Sequence, residues 1–459
     1  VPASVPRLAE VGVDRTVLLF ALLISIFTGI IFGLAPAFQA MKADMTAAIR
    51  EGAQGSGSSA KTLRLRSALI VSELALAVVL MVGAGLLLRT FWGLLQENPG
   101  FNPSRVVTAS FWLANPNDPK TDVYADTAKR TSFIRDVIRR VATIPGIDRA
   151  AMTSDLPGAR PTTTSALVIE DRAADSSQGL TAEVIRVTPD YFMVMQCPLI
   201  RGRFFLESDE TGKQEVALID ETTARRYWSG IDPVGRRLRL GRNPSLPWIT
   251  VVGIVTDMKQ DGLDTDGVPH IFRPIYEQSG RAMSVVVRTS LPVSLLELQI
   301  RSGIQTVDPT LPVFNIRSMN DVMDVSLAPR RFSAELVGLF AAVAILLSSI
   351  GIYGLLAYMV GQRSREIGIR VALGAQRPDI LKLILGKGLL LAGTGIAIGL
   401  ILSAISARMI AGLLYGVHPI DVIVFVTVPL ILLVVAFLAT YIPARRATMV
   451  DPIIALHES

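Results

Sequence analysis

The chain has 459 residues, half of them hydrophobic and 18% charged, with a formal net charge of +6 and a mean hydropathy of +0.46. It is too apolar for an ordinary soluble enzyme and too charged to lie in lipid throughout, so a mixed chain is expected. The positive balance does not call for nucleic acid, because basic residues gather beside apolar stretches, where retention of positive loops in the cytoplasm accounts for them.

A helical span needs roughly 20 largely apolar residues. In chain order, five stretches qualify: Thr16 to Ala35, Ala68 to Leu88, Leu336 to Val360, Gly388 to Ala407 and Val422 to Ile442. The first is longer than a signal-peptide core and has no small-residue cleavage pattern after it, so it reads as a true span. The residues that follow it, Pro36-Ala37-Phe38-Gln39-Ala40, echo Pro443-Ala444-Arg445-Arg446-Ala447 after the fifth, and identities continue at Asp44/Asp451, Ala48/Ala455 and Glu51/Glu458. This register predicts that residues 1–51 are the last span and cytoplasmic tail of a preceding copy. The Gly/Ser-rich run from Gly52 to Lys61 then predicts a flexible linker over residues 52–66.

The second stretch opens the complete unit at residues 67–92. Glu73 lies within it, an expensive place for a carboxylate. It stands about 10 Å along the helix from Arg66, so interfacial solvation and a packing or coupling contact are both open to it. The connections from Ala37 to Arg66 and from Gly361 to Lys387, with the tail, hold thirteen Lys and Arg, against three in the amino-terminal segment and the last short connection. The basic connections are therefore placed inside, and a domain over residues 93–330 outside.

That domain begins with a strand at Val106 to Phe111, helical spacing at Phe133, Val137 and Val141, and a strand at Ile147 to Met152. The order recurs at its far end as Ser284 to Val287, then Leu296, Ile300 and Ile304, then Val313 to Ile316. Between them, Leu156 to Gly280 is β-rich, with runs at Val216 to Ile219 and Ile249 to Val255 and a turn at Asp232-Pro233-Val234-Gly235. The fold class expected is membrane α-helical, a four-span unit plus one extra N-terminal span, carrying a large α+β extracytoplasmic domain of two β-α-β halves and a β-rich insert.

Signals for catalysis are absent. His270, His418 and His457 are isolated, with no second ligand at metal spacing, and neither a Gly-x-Ser-x-Gly elbow nor a Gly-x-x-x-x-Gly-Lys-[Ser/Thr] loop occurs. Asp209 and Glu210 read as a solvated face. The single cysteine, Cys197, cannot form an intramolecular disulfide and reads as an inert packed thiol. No catalytic residue, metal site or cofactor is expected, and the chain is not expected to be an enzyme.

Residues 331–459 hold the last three spans. Gly395 and Gly399 form a small-x-x-x-small pair that permits close helix approach. Between the third and fourth spans stands Arg363-Ser364-Arg365-Glu366-Ile367-Gly368-Ile369-Arg370-Val371-Ala372-Leu373-Gly374-Ala375. Ile367, Arg370, Val371 and Gly374 recur at helical spacing, which predicts an amphipathic helix on the cytoplasmic face, ended by Gly374, with Pro378 opening the next helix. Surface anchoring alone would account for such a helix.

The wording of this motif, with Gly351-Ile352-Tyr353-Gly354 before it and Pro443-Ala444-Arg445-Arg446-Ala447 and Asp451-Pro452-Ile453-Ile454-Ala455-Leu456 after it, resembles the FtsX-like permease domain of MacB-type ABC transporters. Tyr191-Phe192, Pro198-Leu199-Ile200-Arg201-Gly202-Arg203-Phe204, Asp232-Pro233-Val234-Gly235-Arg236-Arg237-Leu238 and Val251-Val252-Gly253-Ile254-Val255 resemble that family's periplasmic core domain. The duplicated layout is similar to the acidobacterial-type duplicated permeases. One departure is Met195-Gln196-Cys197, where the family pattern has a glycine. The resemblance implies a multi-pass protein of the bacterial inner membrane that couples hydrolysis by a separate cytoplasmic ABC ATPase to movement of a periplasmic domain. Arg365, Glu366, Ile367, Arg370 and Gly374 would dock on the ATPase. It further implies contact with membrane lipid, a second permease copy or homodimer, and a periplasmic partner, but no nucleic acid. Two other readings are an FtsX-like device activating a cell-wall hydrolase, and a receptor that only binds ligand; a receptor would need neither the docking helix nor the four-span return.

Overall fold

A long continuous apolar helix needs a surrounding free of water, and among the described residues four helices are long and apolar enough to cross a membrane: Ser67–Gln96, Met319–Val360, Pro378–Met409 and Val422–Arg445. The computed structural model describes residues 14–26, 30, 57–114, 122–158, 163–170, 179–210, 214–263, 267–277, 280–362 and 376–447. It divides into two units, Val1–Gly93 with Pro329–Ser459, and Leu94–Ala328.

Among the described residues, the long helices of the membrane unit are α1 (Gly57–Gln96), α6 (Met319–Gln362), α7 (Arg377–Met409) and α8 (Val422–Ala447). Several bounds differ from the sequence reading. Residues 57–66, expected in a linker, are helical and continue into α1, because a Gly/Ser run followed by Lys-Thr-Leu-Arg-Leu-Arg can be carried by a propagating helix. Helix α7 begins well before Gly388, so Lys382 and Lys387 lie on its first turns rather than in a loop. Pro443 is inside α8 and does not end it. Of the first expected span, the described part is a short apolar helix, Arg15–Ile26; residues 36–51, which carry the first copy of the repeat register, lie outside the described residues.

In the core domain the elements are β1 (Val106–Trp112), α2 (Thr127–Ala142), β2 (Ile147–Thr153), β3 (Thr164–Ile169), β4 (Thr181–Val187), α3 (Tyr191–Met195), β5 (Leu199–Gly202), β6 (Glu215–Asp220), α4 (Glu221–Tyr227), β7 (Arg237–Leu240), β8 (Ile249–Val255), β9 (His270–Pro274), β10 (Ala282–Thr289), α5 (Val293–Val307) and β11 (Val313–Ser318). The outer half is a four-strand antiparallel sheet in the order β11-β1-β10-β2, the split β-α-β arrangement. Helix α2 starts where the Asp126 carboxylate accepts the Ala128 N–H at 2.9 Å. Its Phe133, Val137 and Val141 share a buried core with Leu296, Ile300 and Ile304 of α5 and with Phe111, Met152 and Val285 of the sheet. Burying each such side chain contributes about 1.5–3 kcal/mol.

The insert closes on itself. Strand β4 pairs with β3 on one side and, in parallel, with β9 on the other, and the order β4-β3-β7-β8-β6-β9 returns to β4 as a six-strand ring, with β5 added on β8. Leu167, Ile169, Ile219, Leu238, Val251 and Ile271 fill it. The expected turn is present: the Val234 N–H donates to Asp232 Oδ1 at 3.1 Å, and Gly235 takes φ +84°.

At the departure from the family pattern, Gln196 adopts φ 52° and ψ 40° as the C-cap of α3. This left-handed conformation favours glycine and costs another residue about 1–2 kcal/mol; here Asn102 Nδ2 donates to Gln196 Oε1 at 2.7 Å. Asp209 corrects another expectation. Its side chain is only 10% exposed, not on a solvated face, because Arg203 reaches it with both Nη atoms, at 2.6 and 3.0 Å.

Candidate functional site

The motif residues Arg365, Glu366, Ile367, Arg370 and Gly374 lie outside the described residues. What the structure does place is the pair of helix ends that flank them. Helix α6 runs to Gln362, and α7 opens with a capping box in which Gln376 and Asp379 bond reciprocally, with Pro378 in its first turn, as the sequence led one to expect. Ile352, Leu355 and Leu356 of α6 and Ile380 and Ile384 of α7 belong to one buried cluster with Ile70 and Leu74 of α1 and Ala436 and Ala444 of α8. The helix ends that flank the motif thus share one buried core with α1 and α8.

Small residues set how closely those helices approach. On α7, a Cβ at Gly395 would stand 2.7 Å from Leu74 Cβ, and one at Gly399 would stand 2.6 Å from Val78 Cβ and 2.9 Å from the Ala75 carbonyl oxygen. The small-x-x-x-small pair thus lies directly against α1. Between α7 and α8 the same role falls to Gly388, whose Cβ would meet Thr440 Oγ1 at 2.6 Å. Glu73 is half-buried, and a Cβ at Gly351 of α6 would come 3.0 Å from its Oε2. Its carboxylate thus packs over a glycine of the neighbouring helix. At the far end of α1, Arg89 pairs with Asp421, and Asp421 Oδ1 also accepts the Ile423 N–H at 3.0 Å, capping α8.

The core domain holds a set of perturbed groups. Burial pushes the Cys197 thiol up to about 12, in keeping with its place among the fully packed residues. Burial would lower the His270 imidazole, but the hydrogen bond that its Nδ1 donates to Asp220 and the charge of Asp261 outweigh it and raise the ring to about 9. Burial and the neighbouring Asp261 raise the Glu183 carboxyl. Among the described residues, Glu183, Asp261 and His270 are one cluster whose donor atoms are near enough to share a metal ion. Sequence spacing missed it because its members sit on separate strands and loops.

The model of the MacB-like periplasmic core domain matches residues 67–305, more than half of the chain, and that of the FtsX-like permease C-terminal domain matches residues 338–452. The chain belongs to the MacB/FtsX-like ABC transporter permeases. It is a multi-pass inner-membrane protein with a periplasmic core domain. Among curated relatives, it is 29% identical over 304 residues to a macrolide export ATP-binding/permease protein MacB of Azoarcus sp. (strain BH72), covering 62% of this chain and 43% of that protein. It is 28% identical over 330 residues to a probable syringafactin export ATP-binding/permease protein SyfD of Pseudomonas syringae pv. syringae, covering 69% of this chain and 49% of that protein. The chain thus spans about half the length of the curated relatives it matches. Among solved structures, the periplasmic region of MacB from Actinobacillus actinomycetemcomitans matches with a TM-score of 0.33 at 12% identity, covering 50% of this chain and 95% of that one.

Proposed function

We propose that the chain converts ATP hydrolysis by a separate cytoplasmic ABC ATPase into movement of its periplasmic core domain, for export or for transmission of force across the envelope. The observation that carries this is the continuity of α1 and α6. The change from one unit to the other falls at Gly93/Leu94 and at Ala328/Pro329, within helices of 40 and 44 residues. A helix resists bending and compression in a way that a loop does not, so α1 gives work done on the bundle a path into the core domain, while Pro329 makes the same boundary of α6 a point of easier bending. Export names on the relatives support the transport reading, and the 459 residues contain no phosphate-binding Gly-x-x-x-x-Gly-Lys-[Ser/Thr] loop. The nucleotide site therefore belongs to a domain outside these residues. The partners in this reading are the ATPase, bound through Arg365, Glu366, Ile367, Arg370 and Gly374, a second permease copy that completes the transporter, and a periplasmic protein at the core domain.

Linkage requires that the docking element contact the ATPase differently in its two nucleotide states. Glu366→Arg and Arg370→Glu should then leave expression and insertion intact, since exposed charges seldom change stability by more than about 0.5 kcal/mol. Permease-stimulated ATP turnover in a reconstituted complex should fall at least tenfold. If both variants insert well and stimulate turnover like the unaltered chain, the segment only anchors to the membrane surface and the proposal fails.

A further inference from the structure

His270 opens β9 and is 5% exposed. Its Nδ1 lies 2.8 Å from Asp220 Oδ2 at the end of β6, and the same oxygen accepts the His270 backbone N–H at 3.2 Å. The other oxygen of Asp220 accepts the Thr223 N–H at 2.8 Å and caps α4. The imidazole is thus fixed from behind, with Nε2 turned the other way. There it faces Glu183 Oε2 on β4 at 3.4 Å and Asp261 Oδ2, beyond the end of β8, at 3.7 Å. All three of these atoms are buried and have no hydrogen-bond partner among the described residues.

Those separations are too long for good hydrogen bonds, so even a protonated His270 ring satisfies neither carboxylate well, and two carboxylate oxygens directed at one point in a buried place call for a cation nearer than the ring. A tetrahedral ion with bonds of about 2.0–2.2 Å holds its ligand atoms about 3.4 Å apart. Two edges of the cluster are 3.4 and 3.7 Å, and all of its donor atoms lie within 4.8 Å of one another. We propose that Glu183, Asp261 and His270 bind a divalent transition-metal ion, zinc foremost, with Asp220 as the group that orients the imidazole. A histidine nitrogen among only three protein ligands does not suit calcium or magnesium, which take six or more oxygens. The carboxylate behind the ring is the usual support of a metal-bound histidine. A cavity of about 250 Å³ bordered by Asp261 and His270 supplies an entry path and room for water as a fourth ligand.

The site also has a structural position that gives the ion a task. Glu183 and His270 are directly paired in the parallel β4–β9 ladder that closes the ring. An ion held there clamps the seam of the insert, with Asp261 drawing in the segment that leaves β8.

The test uses the untagged full chain in detergent, stripped with EDTA and titrated with zinc chloride by calorimetry. Expected are one ion per chain with micromolar or tighter affinity, a rise of several degrees in melting temperature, and no competition by millimolar calcium or magnesium. Cobalt chloride in place of zinc should give a visible tetrahedral absorption band. Glu183→Gln and Asp261→Asn, which keep the shape of the side chains, should each abolish the band and weaken zinc binding at least a hundredfold, and Asp220→Asn should weaken it about 10–100-fold. Glu277→Gln, away from the cluster, should bind as the unaltered chain does. No saturable binding, or binding that survives Glu183→Gln and Asp261→Asn, overturns the proposal and leaves an ion-pair network around an imidazolium. His270→Ala adds a further check wherever it folds.

Discussion

Replacing Gly399 with valine asks whether contact between α1 and α7 is fixed by the absence of a side chain. Helices in lipid gain no hydrophobic free energy from meeting, so close packing and the contacts it permits must hold them. The first added carbon would lie 2.6 Å from Val78 Cβ, 2.9 Å from the Ala75 oxygen and 3.0 Å from Ala75 Cα, against a comfortable separation of about 3.5–4.0 Å. Two of the three obstacles are backbone and cannot rotate away, so the helices must part by the better part of an ångström. Overpacking of this kind costs about 1–3 kcal/mol. The intrinsic helix preference of valine over glycine returns only a few tenths of a kcal/mol. A net loss of about 2 kcal/mol is expected, roughly thirtyfold in the folding equilibrium. Gly393→Val is the internal control, because a Cβ there would meet nothing within 4 Å. The measurement is an SDS titration of the purified chain in mixed micelles, followed by circular dichroism. Gly399→Val should unfold at a lower SDS fraction than Gly393→Val, and equal midpoints for the two would refute the close-approach reasoning.

Asp209→Asn tests the fork from Arg203. Burial acts to raise this carboxyl, but the Arg203 hydrogen bonds and the Leu206 N–H hold it below the usual carboxylate range. A depressed folded-state pKa contributes stability above the unfolded value near 3.9 that is lost as pH falls through the folded one. Because Arg203 is 42% exposed, solvent screening limits the effect to about 1 kcal/mol. The variant should therefore melt a few degrees lower at pH 7 and at the same temperature as the unaltered chain near pH 2; a constant gap across that range would remove the charge from the explanation. Cys197, with a thiol pushed up to about 12 and almost no exposed surface, should react with N-ethylmaleimide at pH 7.5 at least about a thousandfold more slowly than a free thiol. Denaturant should restore full labelling, and rapid labelling of the native chain would contradict its burial.

The spans, the two β-α-β halves and the glycine pair on α7 were legible because each depends on a local pattern: an apolar run, a 3.6-residue or two-residue period, or a four-residue interval. Phe133, Val137 and Val141, and Leu296, Ile300 and Ile304, all went to the buried face that their spacing assigned. The closure of the insert was not legible, since the β4–β9 ladder joins strands with four other strands between them in the chain. His270 looked isolated because Asp220 is 50 residues away and Glu183 farther still, and nothing in the sequence says that Asp261, though nearer, turns back onto the ring. Asp209 lies near its partner in sequence, but nothing in the sequence says that the chain folds back to bring Arg203 onto it. Of the candidate site, Glu73 and the helix ends beside the docking motif have described positions, whereas Arg365, Glu366, Ile367, Arg370 and Gly374 rest on the motif itself.

The outer sheet is assembled from both ends of its domain, and this bears on how the protein is made. Ser110 of β1 and Ser284 of β10 share a hydrogen bond at 2.9 Å although 174 residues separate them. A chain threaded outward from its amino end delivers Val106–Trp112 long before its partner Ala282–Thr289 arrives. That early strand, Val-Val-Thr-Ala-Ser-Phe-Trp, has no charge, proline or glycine, the composition that most readily joins foreign strand edges. Non-local pairing is slow because the loop must close first. Biogenesis therefore has a window in which one sticky strand waits unpaired, and a periplasmic holdase that covers it would raise the yield of folded permease without touching the finished transporter.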